Sequence, residues 1–349
     1  MDELRTGISP SAPIIRVAGL SKTFHVLKRK PGLVGAVKNL FSNDFEEVKA
    51  VDRISFEIAP GELVGYIGPN GAGKSTTLKM LTGILHPTGG ELTVDGLVPQ
   101  RDRIRNSKKI GVLFGQRSQL IWDISPLDSF ELMRRMYAIP GAAYEKNLKE
   151  FIGLLGVDEF QNRPVRQLSL GQRIRCEFIA SLLHDPKIVY LDEPTIGLDV
   201  VAKERIREFI LHLSRDRGTT ILLTTHDIRD IEKLCRRVII IDKGRIIYDG
   251  DLAEIRRRYG RERRVIFSTA DGAKPEGLAE SLIGLGAGVS HQILEDGRIA
   301  VRFDPQRVNA SDVTRHIVTG YPVTDLAVEE ADLEAIIREI YKRGNADAL

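Results

Sequence analysis

The sequence predicts an α/β protein with a mostly parallel sheet, followed by a small α+β domain. Short continuous apolar runs are typical of strands buried on both faces, and helical patterns follow several of them. The chain has 349 residues, whereas a single hydrophobic core stops growing at roughly 250 to 300 residues. We therefore expect two domains.

The elements of the first domain alternate along the chain, which favours parallel strands connected by helices. Strands are predicted at 63–67, 188–191, 220–224 and 238–241, and helices at 74–81, 200–213 and 228–234. Between residues 125 and 184 the apolar positions recur at helical spacing, so this segment is predicted to be a helical insert.

A different pattern begins after Gly250. Strands are predicted at 264–268, 288–294 and 299–303, and helices at 275–283 and 311–318. A last helix is predicted to begin at Glu329 or Asp332 and to end at Tyr341. The expected domains are residues 14–250 with an insertion at about 25–48, a linker helix at 251–264, and a second domain at 265–349.

Composition excludes several classes of protein. Hydrophobic residues make up 42% of the chain, mean hydropathy is -0.14, and no apolar run approaches the roughly 18 to 20 residues of a membrane span. The first ten residues do not resemble a secretion signal, and Cys176 and Cys235 are too few for a disulfide framework. A net charge of +3 is too small to give the strong positive electrostatic field that is typical of a nucleic-acid-binding protein. We expect a cytoplasmic protein without a bound nucleic acid.

Residues 68–76 read GPNGAGKST and match the phosphate-binding pattern G-x-x-x-x-G-K-[ST], between a predicted strand and a predicted helix. Glycines let the loop turn tightly, so that backbone N–H groups and the helix N-terminus face phosphate oxygens. Lys74 is expected to reach the β and γ phosphates, and the Ser75 hydroxyl is expected to bind Mg²⁺. The candidate phosphate-binding residues are Gly68, Pro69, Asn70, Gly71, Ala72, Gly73, Lys74, Ser75 and Thr76.

Two adjacent carboxylates follow a predicted strand in the segment YLDE. Asp192 suits binding of Mg²⁺ through water, and Glu193 suits the general base that polarises an attacking water. His226, in TTHD after the next strand, can place a ring N–H on a γ-phosphate. These residues predict nucleotide hydrolysis, with Lys74, Glu193 and His226 as its catalytic groups.

The segment LSLGQ at 168–172 makes the pattern more specific. Together with GPNGAGKST, YLDEP, GLD and TTHD it resembles the nucleotide-binding subunit of an ATP-binding cassette (ABC) transporter over about residues 14–250. The resemblance implies a P-loop NTPase fold with a mostly parallel sheet core, an antiparallel β subdomain and a helical subdomain. Its implied cofactors are ATP and Mg²⁺.

Several further roles are implied by the resemblance alone. Gln116 resembles the glutamine that contacts Mg²⁺ and the membrane partner, Asp199 the D-loop aspartate, and Phe24 the aromatic that stacks on adenine. In the family, the signature loop completes the nucleotide site of the opposite subunit in a head-to-tail dimer. The residues expected to do so here are Ser169, Gly171 and Gln172.

Two features depart from the family pattern. Leu170 occupies the third position of the usual LSGGQ, which reduces backbone freedom there. About two dozen residues separate Phe24 from Val48, where the family has a short hairpin, so Phe41 and Phe45 compete with Phe24 for the adenine. The insertion is either a solvated elaboration of the hairpin or a short basic amphipathic helix near the membrane or permease.

The chain is accordingly interpreted as the ATP-hydrolysing subunit of an ABC transporter. Its implied partners are a separate transmembrane permease and a second nucleotide-binding subunit, expected to be a copy of this chain. The implied location is the inner face of the cell membrane. Similarity to ATPases of the second exporter type implies export. The alternative is a soluble ABC ATPase acting on a nucleic-acid or ribosomal complex, which the single phosphate loop disfavours. A catalytically inactive cassette is opposed by the intact motif residues.

The region after Gly250 lacks a phosphate loop and a Cys/His cluster. Its last helix alternates Leu333, Ile336, Ile337 and Ile340 with charged residues, as a helix packed on a sheet or a partner would. We expect residues 265–349 to regulate the cassette or support its dimer. The arginine-rich stretch between residues 256 and 264 is interpreted as a linker helix paired with acids, the alternative being a nucleic-acid or lipid contact.

Overall fold

The computed structural model describes residues 12–27, 45–115, 118–259, 263–269, 277–286, 288–294, 296–305, 307–329 and 333–346. The chain divides into two compact units between Asp249 and Gly250. This division falls within one strand, at Arg245–Asp251.

The first unit contains the following elements in chain order. Its strands are β1 (Ile15–Leu27), β2 (Phe45–Ile58), β3 (Leu63–Ile67), β4 (Gly89–Val94), β5 (Ile110–Phe114), β6 (Ile188–Asp192), β7 (Thr220–Thr224), β8 (Arg237–Asp242) and β9 (Arg245–Asp251). Its helices are α1 (Lys74–Leu81), α2 (Arg103–Ser107), α3 (Pro126–Met136), α4 (Gly141–Leu155), α5 (Leu170–Leu182), α6 (Val200–Arg215) and α7 (Ile228–Leu234).

A six-stranded sheet in the order β5-β6-β7-β3-β8-β9 forms the centre of this unit. The pairs β5 with β6, β6 with β7, β7 with β3 and β3 with β8 are parallel. All residues of β3 and β7 are buried, as expected for strands covered on both faces. The predicted α/β class with a mostly parallel sheet is confirmed, as are the four strands predicted in it.

A three-stranded antiparallel sheet, in the order β2-β1-β4, packs beside the central sheet. Strands β1 and β2 pair as far as Leu27 and Phe45, and Phe24 lies opposite Val48. The predicted insertion therefore narrows to residues 28–44, which lie outside the described residues. Whether it forms a basic helix stays a prediction.

The two sheets share one hydrophobic core with α1. Val17 and Ile54 of the antiparallel sheet belong to the same buried cluster as Leu78 of α1 and Tyr190 and Ile239 of the central sheet. This packing holds the start of α1 against the carboxyl ends of the parallel strands, where ligands of open α/β sheets bind.

Helices α3, α4 and α5 confirm the predicted helical insert. Phe209 of α6 lies between two phenylalanines of this segment, with its ring centroid 5.5 Å from Phe151 and 5.8 Å from Phe178. Both pairs are edge-to-face, the favoured geometry for aromatic rings. Within the described part of the chain, no helix has the length and apolar character needed to cross a membrane.

The second unit contains helix α8 (Leu252–Tyr259) and a four-stranded antiparallel sheet. The remaining elements are β10 (Arg263–Thr269), α9 (Leu278–Ile283), β11 (Ser290–Ile293), β12 (Ile299–Phe303), α10 (Ala310–Gly320), β13 (Val323–Glu329) and α11 (Leu333–Ala346). The sheet order β11-β12-β10-β13 and the βαββαβ sequence are those of the split βαβ, or ferredoxin-like, arrangement. The small α+β class predicted for this region is confirmed.

Alternate residues of β10 point to opposite faces of this sheet. Val265 and Phe267 share a buried cluster with Leu278 of α9 and Val313 of α10. Ile266, which points the other way, is also buried. The two central strands β10 and β12 are therefore buried on both faces, whereas all of β11 and most of β13 is exposed.

Two details of this region differ from the sequence expectation. Residues 323–329 form strand β13, which the sequence reading missed, and Glu329 ends this strand instead of starting the last helix. The reason is tertiary, because β13 is stabilised by pairing with β10, whose residues lie some sixty positions earlier. The helix interpreted as a linker is α8, which lies in the second unit and buries Leu252 and Ile255.

Candidate nucleotide-hydrolysis site

The phosphate loop connects β3 to α1, as its sequence pattern requires. Gly73 has a φ of +109°, and a Cβ there would lie 2.5 Å from the Ala50 carbonyl oxygen. A Cβ at Gly68 would lie 2.3 Å from the Ile241 carbonyl oxygen. Only glycine fits either position, because neighbouring backbone occupies the space of a side chain.

Helix α1 starts at this loop without a side-chain cap. Its N-cap is Gly73, which offers no capping atom, and no acidic residue lies in its first turn. By contrast, helices α3, α5, α6 and α7 are each capped by a serine or aspartate side chain. The first N–H groups of α1 and its positive dipole end are therefore suited to an anionic ligand such as a phosphate.

Lys74 is held against the same loop. Its Nζ donates to the carbonyl oxygens of Gly68 at 2.6 Å and Pro69 at 3.1 Å, and the residue is only 6% exposed. Burial lowers the pKa of Lys74, although the nearby carboxylates of Glu193 and Asp192 act in the opposite direction. The ammonium thus lies between the phosphate loop and the paired acids, where it can meet phosphate oxygens.

Asp192 ends β6 directly beside the phosphate loop. Its Oδ2 accepts a hydrogen bond from Ser75 Oγ at 3.2 Å, and its Oδ1 accepts one from Thr224 Oγ1 at 2.6 Å. Mg²⁺ at phosphate sites takes one or two protein oxygens, and completes its octahedron with phosphate and water. The pair of Ser75 and Asp192 fits such an ion, because both oxygens converge on one point of the loop.

Glu193 and His226 meet at the ends of neighbouring strands. His226 Nδ1 lies 3.2 Å from Glu193 Oε2. Glu193 adopts a φ of +54° and its N–H donates to the Thr224 carbonyl oxygen at 2.9 Å. Left-handed backbone is costly for a residue with a Cβ and is held only where surrounding contacts require it. In this conformation the Glu193 carboxylate lies within hydrogen-bond distance of the His226 ring.

The LSLGQ segment forms the N-terminus of α5. Ser169 Oγ accepts from the Gln172 N–H at 3.2 Å, and Gln172 Oε1 accepts from the Ser169 N–H at 2.9 Å. This reciprocal pair is a capping box. Leu170 is the first residue of the helix and is 41% exposed. Neither Leu170 nor Gly171 has a positive φ, so the departure from LSGGQ causes no backbone strain.

The other predicted contacts are placed as follows. Asp199 caps α6 by accepting from the Ala202 N–H at 2.8 Å. Phe24 is half-buried in β1, with Lys22 Nζ 5.2 Å from its ring centroid. Phe45 begins β2 and is exposed. Gln116 and Phe41 lie outside the described residues, and the choice of adenine-stacking residue stays a prediction.

Glu177 is a buried acid near this site that was not among the residues predicted from the sequence. Glu177 of α5 is 5% exposed and accepts hydrogen bonds from Ser118 Oγ and from the Gln119 N–H, the latter at 2.9 Å. Burial raises the pKa of Glu177, and the Ser118 hydrogen bond opposes this change. The signal available in the sequence was the position of this charged residue on the apolar face of a predicted helix.

Comparison with known proteins agrees with the geometry. Residues 51–196 match the ABC transporter family. The chain is 35% identical over 215 residues to the ABC transporter ATP-binding protein NatA of Bacillus subtilis, covering 62% of this chain and 87% of that protein. It is 34% identical over 245 residues to the Nod factor export ATP-binding protein I of Ralstonia nicotianae, covering 70% and 69%. A methionine import ATP-binding protein of Enterococcus faecalis, MetN 2, is 31% identical over 223 residues, covering 63% and 64%.

Solved structures give the same result. A dimeric ATP-binding cassette in a post-hydrolysis state, bound to ADP and Pi, is 28% identical with a TM-score of 0.57. It covers 68% of this chain and 98% of that cassette. A solved ATP-binding subunit of an ABC transporter matches in fold, with 23% identity, a TM-score of 0.60 and coverage of 71% and 93%. The chain therefore belongs to the ABC transporter ATP-binding family and is an ABC-type ATPase.

Proposed function

We propose that this chain hydrolyses ATP as one of two cassettes that drive a separate membrane permease, and that the transport is export. The observation that carries the hydrolytic part is the meeting of Glu193 and His226 beside Lys74 and Asp192. The relatives reported above are named as ABC transporter, export or import ATP-binding proteins, and none of these three is named as a nucleic-acid or ribosomal protein.

Each residue has a distinct task in the proposed reaction. The phosphate loop and Lys74 bind the β and γ phosphates of ATP. The Glu193 carboxylate accepts a proton from the attacking water, and His226 orients that carboxylate and contacts the γ-phosphate. Ser75 and Gln116 would bind Mg²⁺ directly, and Asp192 would hold it through a water. When bound, this ion neutralises charge on the phosphate oxygens and fixes their orientation.

The test of this assignment is Glu193→Gln. An amide cannot act as the base, so the variant should lose about 10² to 10⁴-fold in kcat. Its affinity for ATP should stay near that of the wild type, because Lys74 and the phosphate loop are unchanged. ATP should then hold the variant as a dimer, detectable by light scattering. Turnover at the wild-type rate would refute the role of Glu193.

The direction of transport and the partner are supported by likeness only. The export relative covers a larger share of this chain at higher identity than the import relative does. Attachment to the inner face of the cell membrane would follow from binding the permease. Purification of the tagged chain from its own membranes, followed by identification of the membrane protein that accompanies it, tests the partner and the attachment to the membrane. A nucleic-acid or ribosomal partner in place of a membrane protein would overturn the proposal.

The second unit is proposed to support the dimer or regulate the cassette. Every residue given a nucleotide role above precedes the division at Asp249. A truncation after Asp251, which keeps β9 whole, should bind ATP normally while its dimerisation or hydrolysis rate changes. Isothermal titration and ATPase assays on the truncated and full-length chains measure this. A folded truncation that fails to bind ATP would contradict the proposal.

A further inference from the structure

A buried carboxylate, Asp230, connects three segments around the site. It lies on α7, four residues after His226, and its side chain is 1% exposed. Its Oδ1 accepts from Arg207 Nε on α6 at 2.6 Å. Its Oδ2 accepts from the hydroxyl of Thr195, two residues after Glu193. One side chain therefore joins the Glu193 loop to α6 and to the helix that follows His226.

The two oxygens of Asp230 have separate tasks. Arg207 is buried and neutralises the charge of Asp230 through Oδ1, as a buried carboxylate requires. Arg207 also donates to Glu204 Oε2 at 2.9 Å, and Lys233 donates to the same oxygen at 2.8 Å. The ion pair thus persists without Thr195. The Thr195 hydroxyl can be removed without leaving an unpaired charge.

The strained backbone of Glu193 needs contacts on both sides. On its N-terminal side, the Glu193 N–H is fixed to the Thr224 carbonyl oxygen at 2.9 Å. On its C-terminal side, Thr195 is buried and its hydroxyl is bound to Asp230. Because Asp230 belongs to the helix that directly follows His226, the tether sets the distance between the Glu193 carboxylate and the imidazole.

We propose that the Thr195 hydroxyl, held by Asp230, is a positioning group that fixes Glu193 relative to His226 for ATP hydrolysis. The inference rests on the proposed roles of Glu193 and His226. Thr195 does not itself touch the reacting atoms. Its effect should therefore appear in kcat, and the affinity for ATP should not change.

Two variants of the full-length chain separate this role from simple packing. Thr195→Val keeps the shape and removes the hydroxyl, whereas Thr195→Ser keeps the hydroxyl and removes a buried methyl. Positioning predicts that Thr195→Val lowers kcat about tenfold while Thr195→Ser stays within about twofold of the wild type. Packing alone predicts the opposite order, because the buried methyl is then what matters. That opposite order, or equal kcat values for the two variants, would overturn the inference.

A third variant keeps the test decisive if Thr195→Val does not fold. Thr195→Ala and Thr195→Ser both lack the methyl and differ only in the hydroxyl. A lower kcat for Thr195→Ala than for Thr195→Ser, at equal Kd for ATP, supports positioning, and equal kcat values refute it. Circular dichroism and urea denaturation establish that the compared variants are folded.

Glu193→Gln, measured in the same assay, separates failure of this inference from failure of the proposed function. If Glu193→Gln is inactive but Thr195→Val and Thr195→Ala turn over like the wild type, only the positioning role is wrong. If Glu193→Gln is fully active, the role of Glu193 is wrong and the positioning inference falls with it.

Discussion

Two helices of the cassette begin at predicted nucleotide-binding segments, yet their N-termini are built differently. Helix α1 starts after Gly73, at a φ of +109° and without a side-chain cap. Helix α5 starts after Ser169, whose capping box with Gln172 pairs two backbone N–H groups. A cap of this kind is worth about 0.5 to 2 kcal/mol. Helix α5 thus pairs two of its own end groups, whereas α1 has no side-chain cap and leaves its end groups for a ligand.

This difference matches the tasks proposed for the two helices. Helix α1 is proposed to contact the ATP bound by its own subunit, and its open N–H groups favour phosphate there. Helix α5 is proposed to reach nucleotide only in the dimer, so it must hold its shape while no phosphate is near. The Ser169 oxygen accepts from Gln172, which leaves the hydroxyl hydrogen for a phosphate of the opposite subunit.

The largest effect should come from the α1 side of the comparison. Lys74→Ala removes a charge-assisted contact worth about 1.5 to 3 kcal/mol, so the Kd for ATP should rise about 10- to 100-fold. Titration of the isolated chain with ATP measures this. Lys79→Ala, an exposed lysine in the last turn of the same helix, is the control and should leave the Kd unchanged. Equal effects of both variants would show that overall charge, and not position, matters.

Ser169→Arg probes the α5 side and should give the converse result. The arginine fills the space that a partner's phosphate would occupy, so hydrolysis should fall by about tenfold or more. Binding of ATP to the monomer should not change, because Ser169 is proposed to meet nucleotide only across the dimer. ATP titration at dilute protein and ATPase assays at high protein concentration give the two quantities. If Ser169→Arg weakened ATP binding to the monomer as much as it lowered hydrolysis, the proposed difference between α1 and α5 would be wrong.

Gln172→Ala tests the capping box itself. It removes the acceptor of the Ser169 N–H, and should lower the free energy of unfolding by about 0.5 to 1 kcal/mol. Urea denaturation measures the change. Lys149→Ala, at an exposed position inside α4, is the matched control and should be nearly neutral. A neutral Gln172→Ala would show that α5 does not depend on its cap.

The smallest effect concerns the buried Glu177 of α5 and appears only as pH changes. Burial raises its pKa in the folded chain above the roughly 4.3 of an exposed glutamate. As pH rises from that value through the folded pKa, the unfolded state holds fewer protons, so this group's contribution to stability falls. Glu177→Gln removes the dependence, and its stability relative to the wild type should increase across this window. A difference in free energy of unfolding between Glu177→Gln and the wild type that stays constant from pH 4 to 7 would contradict this.

The residues of the site could be predicted from sequence where chemistry requires neighbours in the chain. GPNGAGKST specifies a loop, because glycine positions and the following helix lie within nine residues. The adjacency of Asp192 and Glu193 likewise follows from the chain. The contacts of Thr195 and Glu177 could not be predicted, since their partners lie 35 and 58 or 59 positions away.

The sequence by itself determined the buried strands, the helices that follow them, the phosphate loop and the family. Those features depend on periodicity and on motifs that are continuous in the chain. Only the tertiary structure decided the strand order β5-β6-β7-β3-β8-β9, which places Thr224 beside Asp192, and the strand β13 that pairs with β10. It also decided that Asp230 joins the Glu193 loop to the helix after His226. The physical reason is that hydrogen bonds between distant segments depend on how the core packs, which no local pattern of residues records.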